Sequence, residues 1–316
     1  MILTADIGGT NARFTCFSRV EGVWKNIFSG RYQSGNYSSL YETVKYFLDD
    51  CAFNGKFEAS CFSLAGPVTD GNCELVNLGW KENEDLLKAA IPELGKVFFI
   101  NDISAAGYGI LGMDEDDFVS VTPGLKGKET GNKAVIAPGT GLGEGVIIGN
   151  KPIGSEGGHS DFAARNEREI KLLRFLQRNS RHVSYEKVLS GGGLLKIAAF
   201  LAEERGIVLN QVTPEEVSRA AFAGGSDVCE EAMEMYVEIL GAEVGNMALR
   251  FLAEGGVYIA GGVAPAILPE LQKPHFMGAV RDKGRFRKFL EGIPVYVIVN
   301  DGIQMQGCLN YLMMIL

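Results

Sequence analysis

A chain of 316 residues, 46% apolar and 22% charged, has the length for about two domains and the composition of a folded globular protein rather than a disordered one. Its formal charge of −9 argues against nucleic acid or an anionic membrane as the main partner, because both select basic faces. The six cysteines are scattered, with no Cys-x-x-Cys pair and no clustered histidines, which argues against a disulfide framework or a zinc site and fits reduced thiols in the cytoplasm.

Met1 leads straight into an apolar stretch, so no signal peptide is expected, and no uncharged apolar run reaches the ~18 residues that span a bilayer. The opening residues MILTADIGGTNARF read as strand, tight turn, strand. Gly8 and Gly9 allow positive φ and close approach of backbone N–H groups to a bulky anion, and Thr10 and Asn11 add side-chain donors. Asp6, on a buried strand just before the turn, needs a partner such as the Mg²⁺ that accompanies a nucleotide. A plain β-hairpin with an acid at its edge accounts for the same residues.

Further along, residues 23–31 read as a third strand, residues 38–50 as a helix capped by Ser38 or Ser39, residues 59–64 as a short buried strand and residues 83–90 as a second helix. The run KVFFI at 96–100 has the character of a strand buried on both faces, and it ends on Asn101-Asp102. An Asp there is suited to accept a proton from an alcohol, and equally suited to cap the small-residue helix that starts near Ser104.

The same plan then restarts. Residues 133–137 lead into PGTGLGEG at 138–145, and residues 146–148 resume an apolar strand, an echo of the opening about 130 residues later. Backbone N–H groups of Gly139 to Gly143 and the Thr140 hydroxyl would serve a phosphate chain from the other side. Neither a P-loop nor a dinucleotide fingerprint is present. Glu156 and His159 share a glycine turn and have the donor and acceptor chemistry of hydroxyl recognition; a polar surface turn fits them as well. Glu186, a helical turn beyond His182, reads either as another hydroxyl acceptor or as part of a solvated helix face.

Helices are expected over 167–178, 185–189, 194–205, 214–223 and 226–253. A strand at 257–260 closes on Gly261-Gly262, which is open to a flat ring or simply turns the chain. His275 has no acidic neighbour in sequence and reads as structural, and the basic run at residues 281–288 reads as a solvated face. Another strand is expected at 295–299, followed by an amphipathic helix to residue 316. The repeated plan puts a ligand between two α/β units.

Eight segments together resemble the signature blocks of bacterial-type ATP-dependent glucokinases: DIGGTNAR, SLAGPV, FFINDISA, PGTGLG, GSEGGHSDFA, SYEKVLSG, YIAGGV and DKGRF. They run in that family's order from Asp6 to about Phe286. The resemblance implies an α/β fold of two duplicated domains of the actin/hexokinase-like (ribonuclease H-like) type around a central cleft. The small domain would take residues 1–112, with a C-terminal helix over 302–316 packing back onto it, and the large domain residues 113–301.

It also implies phosphorylation of glucose by ATP with Mg²⁺, Asp102 as the base at the 6-hydroxyl, and Asn101, Glu156, His159 and Glu186 as sugar ligands. Gly8, Gly9, Thr10 and Asn11, with Gly139, Thr140, Gly141 and Gly143, match the phosphate segments; Gly261 and Gly262 match the adenosine segment; Asp6 matches the acid near Mg²⁺, acting through water. A cytoplasmic homodimer without nucleic-acid or membrane partners is expected. A kinase for mannose, fructose or an amino sugar shares nearly all these residues, and a non-catalytic sugar or nucleotide sensor shares the fold. Pro138 departs from the small residue common at that place, and no cysteine-rich zinc site follows His159, which sets the chain apart from the repressor/kinase group.

Overall fold

Burial along almost its whole length builds the first strand, β1 (Ile2–Ile7), into the middle of a sheet. Leu3, Ala5 and Ile7 face one apolar cluster and Ile2 faces another, so both sides of the strand are covered. The computed structural model describes residues 1–316. β1 pairs antiparallel with β2 (Asn11–Val20), which pairs antiparallel with β3 (Val23–Gln33). On its other edge β1 runs parallel to β4 (Ala59–Leu64).

Between β3 and β4, helix α1 (Leu40–Asp50) is capped by the Ser39 side chain, which accepts from the Glu42 N–H, and its Leu40, Val44 and Phe47 pack under β1. Three very short strands, β5 (Val68–Thr69), β6 (Asn72–Leu75) and β7 (Trp80–Asn83), form a small sheet of their own. Helix α2 (Glu84–Ala90) is capped by Asn83. β8 (Lys96–Asn101) completes the main sheet in the order β3-β2-β1-β4-β8 and feeds directly into α3 (Asp102–Leu111).

The second sheet repeats this plan. After β9 (Phe118–Ser120), β10 (Lys133–Pro138) and β11 (Leu142–Ile148) form an antiparallel hairpin around a glycine turn. The turn is tighter than the sequence implied: Gly143 lies in the ladder opposite Ala137 and only residues 139–141 connect the strands. After β12 (Lys151–Ser155), helices α4 (Glu167–Gln177), α5 (Glu186–Leu189), α6 (Gly191–Glu204) and α7 (Pro214–Phe222) lead to α8 (Asp227–Phe251), a 25-residue helix. Most of α8 is buried, because α6, α7 and a later helix all pack on it.

β13 (Gly256–Ile259) runs parallel to β10, the short helices α9 (Val263–Ala266), α10 (Leu268–Leu271), α11 (Pro274–Arg281) and α12 (Arg287–Leu290) follow, and β14 (Val295–Ile298) runs parallel to β13. The sheet order is β12-β11-β10-β13-β14-β9. The basic run at residues 281–288 is not uniformly solvated. Lys283 is half-buried, and burial, with the Arg165 charge next in weight, lowers its pKa.

The chain divides into two units, Met1–Asp114 with Asn150–Gly154 and Asp301–Leu316, and Glu115–Gly149 with Ser155–Asn300. Residue 112, where the sequence marked a boundary, thus lies within the first unit. The segment 150–154, placed by the sequence in the larger domain, groups with the first unit, where the Gly154 N–H donates to Ser104 Oγ at 3.1 Å.

The last helix, α13 (Ile303–Ile315), packs on α3, β1 and β4. Cys308, Leu309 and Leu312 of α13 bury against Ile2, Ala59, Cys61 and Ala105. The two helices touch through glycines: a methyl at Gly307 would overlap the Ala105 carbonyl, and one at Gly109 would overlap the Ile303 carbonyl. No helix is long and apolar enough to cross a membrane.

Candidate active site

The junction of β8 and α3 fixes Asn101 and Asp102. The Asn101 Oδ1 accepts from the N–H groups of Ile103 at 3.0 Å and Ser104 at 3.2 Å, so Asn101 is the N-cap. Asp102 is the first helical residue, one position beyond the cap that the sequence offered it as. Its Oδ1 accepts from the Ile103 N–H at 2.9 Å and from Asn101 Nδ2 at 3.0 Å. The other Asn101 N–H reaches the Gly66 carbonyl at 3.1 Å, so both donors of this amide are in use and it reaches a sugar only by releasing one. Asp102 is half-buried at the start of α3.

The first glycine turn closes with the Gly8 N–H donating to the Asn11 carbonyl at 2.9 Å, and Ser34 Oγ donating to the Gly8 carbonyl at 2.8 Å. Neither Gly8 nor Gly9 adopts the positive φ that the sequence allowed. A Cβ at Gly9 would stand 3.2 Å from Asn77 Cβ, a tight approach. Thr10 is exposed, and the Asn11 side chain accepts from Arg31 Nε at 3.3 Å.

Asp6 stands between Arg13 and Ser63 in register, with Ser63 Oγ donating to its Oδ1 at 3.1 Å. Burial raises its pKa above the ordinary carboxylate value, and the Ser63 hydrogen bond and the Arg13 charge oppose that rise without cancelling it. A carboxyl left short of positive charge fits a nearby cation. One such acid suits Mg²⁺ held mostly by water and phosphate, since Mg²⁺ keeps several waters and needs few protein ligands.

The second glycine turn closes with the Gly139 N–H donating to the Gly141 carbonyl at 2.9 Å, and Thr140 is exposed at its tip. Two other segments gather on this turn. The Gly191 N–H, at the start of α6, donates to the Gly139 carbonyl at 2.9 Å. Gly261 adopts φ +81°, and a Cβ there would stand 2.5 Å from the Pro138 carbonyl oxygen, so no other residue fits. Gly262 is exposed beside it, ahead of α9. The place of Gly191 beside the turn at residues 139–141 comes from the fold.

Glu156, His159 and Glu186 come together. His159 Nε2 lies 3.7 Å from Glu156 Oε2, and its Nδ1 lies 3.9 Å from Glu186 Oε1. Glu186 Oε2 also accepts the Leu142 N–H at 3.1 Å, and a Cβ on Gly141 would stand 2.5 Å from it. One carboxylate therefore joins the turn bearing His159 to the turn at residues 139–141. His182 takes no part, pairing with Asp161 at 3.1 Å. His275, read as lacking an acid, has Glu270 at 3.4 Å once α10 and α11 pack together.

A buried charge cluster without a local sequence signature lies beside these residues. Glu144 on β11 and Glu243 on α8 are both buried, with Arg250 2.6 Å from Glu243 and 3.9 Å from Glu144. Burial, and then the Glu243 charge, push Glu144 up to about 7, with Arg250 opposing. Folding thus favours its protonated form; that stability is whole below the ordinary carboxylate range and is lost as pH rises through about 7.

The chain matches the family model described as Glucokinase over residues 3–314. A glucokinase of Nostoc sp. is 35% identical over 335 aligned positions, with 97% of each chain covered. A solved glucokinase from an Antarctic psychrotroph is similar at TM-score 0.83 and 30% identity, covering 99% of this chain and 98% of that one. A ROK family glucokinase from Streptomyces griseus, solved in complex with glucose and AMPPNP, shares the fold at TM-score 0.66 and 19% identity, with 97% of both chains covered. The fold is therefore the duplicated α/β fold of the hexokinase/actin superfamily.

Proposed function

We propose, since this chain belongs to the glucokinase family, that it transfers the γ-phosphoryl group of ATP to the 6-hydroxyl of glucose. The observation that carries the reading is the β8–α3 junction, where an Asn cap holds Asp102 as the first residue of a helix at the end of a buried strand. Asp102 takes the hydroxyl proton as the sugar oxygen bonds to phosphorus and the bond to the β-phosphate bridging oxygen breaks. Glu156, His159 and Glu186 bind the sugar hydroxyls, with Asn101 fixing Asp102. The turns at Gly8 to Asn11 and Gly139 to Gly141 supply N–H and hydroxyl donors to the phosphates, and Gly261-Gly262 lies against the adenosine. Asp6 would hold Mg²⁺, which when bound would neutralise phosphate charge. The reduced thiols and the ATP requirement fit a cytoplasmic enzyme.

A coupled assay of ADP release with ATP and Mg²⁺ across glucose, mannose, fructose and glucosamine tests this reading. Glucose is expected to give the highest kcat/KM. A different preferred hexose would reassign the substrate, and no sugar-dependent ADP release with any of them would make the chain a sensor of the same fold.

Asp6→Ala should raise the Mg²⁺ concentration needed for half-maximal turnover by about 10–100-fold, the usual effect of removing a group that acts on a metal from outside its inner ligands. Glucose affinity measured by calorimetry should stay near that of the wild type. Equal losses in both would make Asp6 part of the scaffold only.

A further inference from the structure

Under the turn that carries Glu156 and His159 lies a buried group that the reaction above does not use. The Glu144 side chain is 3% exposed, and its Oε1 has no hydrogen-bond partner in the protein. Its Oε2 abuts Gly157, the first residue of the turn Gly157–His159, so closely that a methyl there would overlap it. The Glu144 carbonyl accepts from Ser155 Oγ at 2.9 Å, and the same Oγ accepts the Gly157 N–H at 3.2 Å. Backbone and side chain of one residue therefore both support the turn, one through Ser155 and the other directly.

We propose that Glu144 is a positioning residue of the sugar site: its carboxyl, packed under Gly157, sets where Glu156 and His159 meet the hexose. The inference rests on the kinase reading above.

The charged surroundings determine which form of Glu144 does this. From α8 it faces Glu243 and Arg250, and the Arg250 guanidinium is already committed to Glu243, which also accepts from Asn246 Nδ2 at 2.8 Å. Tyr185, ahead of α5, hydrogen-bonds to Glu243, and Lys283 and Arg165 act on the same cluster. On the turn itself stand Glu156 and His159. Ionised Glu144 would be a second buried carboxylate competing for one cation, at a heavy desolvation cost. It relieves that by moving towards Arg250 or water, and Gly157 loses its support. Hexose affinity should therefore fall as pH rises through about 7.

The experiment measures KM and kcat for glucose between pH 6 and pH 8.5 in the wild type, Glu144→Gln and Glu144→Ala. In the wild type KM should rise about tenfold between pH 6 and 8, as the competent fraction falls to about a tenth, with kcat changing much less. Glu144→Gln, neutral at every pH and of the same shape, should hold KM low and flat. Glu144→Ala should show a raised KM already at pH 6. His159 is present in all three proteins, so differences between the profiles belong to residue 144.

A Glu144→Gln profile that follows the wild-type rise, or a Glu144→Ala protein with wild-type KM, overturns the proposal. Should Glu144→Ala not fold, the Gln profile decides alone. A wild type that neither turns over nor binds any hexose removes the kinase reading and this inference with it. Wild-type turnover with unchanged variants removes the inference only.

Discussion

Asp102→Asn should lower kcat by roughly 10²–10⁴-fold, the range that a positioned general base supplies, while glucose still binds measurably. Asparagine keeps the shape of the side chain and an oxygen that can accept the Ile103 N–H, now at 2.9 Å from Asp102 Oδ1, so α3 has no reason to move. The chemical change is the loss of the negative charge and of the oxygen that accepts the proton. A contribution made only as the proton leaves appears in kcat and not in binding. ADP release at saturating sugar gives the first quantity, calorimetric glucose binding the second. Near-normal turnover would take Asp102 out of the role, and equal losses of kcat and affinity would make it a sugar ligand instead.

Gly307→Val is expected to cost on the order of 3 kcal/mol of stability, the upper end of ordinary overpacking. Glycine inside a helix is usually a weakness that a larger residue repairs. Here the sign reverses, because a Cβ on Gly307 would overlap the Ala105 carbonyl, which is backbone and has no rotamer to give. Relief comes only from separating α13 from α3, and that uncovers the buried Cys308, Leu309 and Leu312. Even Gly307→Ala should destabilise. Urea unfolding checks both, and an unchanged midpoint would mean that the helices do not meet at this residue. Since α3 starts at Asp102, the folded fraction of the valine variant should also have reduced kcat.

The paired hairpins were legible because each joins an apolar strand to a glycine turn and a second strand, and the copies lie in the same order along the chain. The helix start at Ser39 follows from a residue whose side chain caps, whereas Asn83, read as the first residue of its helix, is the cap, and the cap at Asn101 falls a residue before the position the sequence suggested. The strands at residues 68–83 went unread because two to four residues are too few to show a period of two. The glycines of the first turn were legible as a turn, but not the close approach of Asn77 to Gly9, which only the fold brings about.

The site divides along the same line. Glu156 and His159 sit three positions apart, and the sequence pairs them. Glu186 joins them only once α5 packs against β11, and its bond to the Leu142 N–H has no local signature. Glu144, Glu243 and Arg250 look like ordinary surface charges in a sequence. Only the register of β11 against the long helix α8 shows that they are buried together.

The return of α13 to α3 also sets an order of events during synthesis. The first unit begins at Met1 but includes Asp301–Leu316, so the sheet side that Leu309 and Leu312 cover stays bare until the whole second unit has been translated. Domains fold as the ribosome delivers them, and the second unit is delivered complete before the first. Throughout that interval the helix that starts with Asp102 lacks its packing partner. The apolar face shared by Ile2, Ala59 and Cys61 is thus sealed late, by residues that leave the ribosome after the whole second unit.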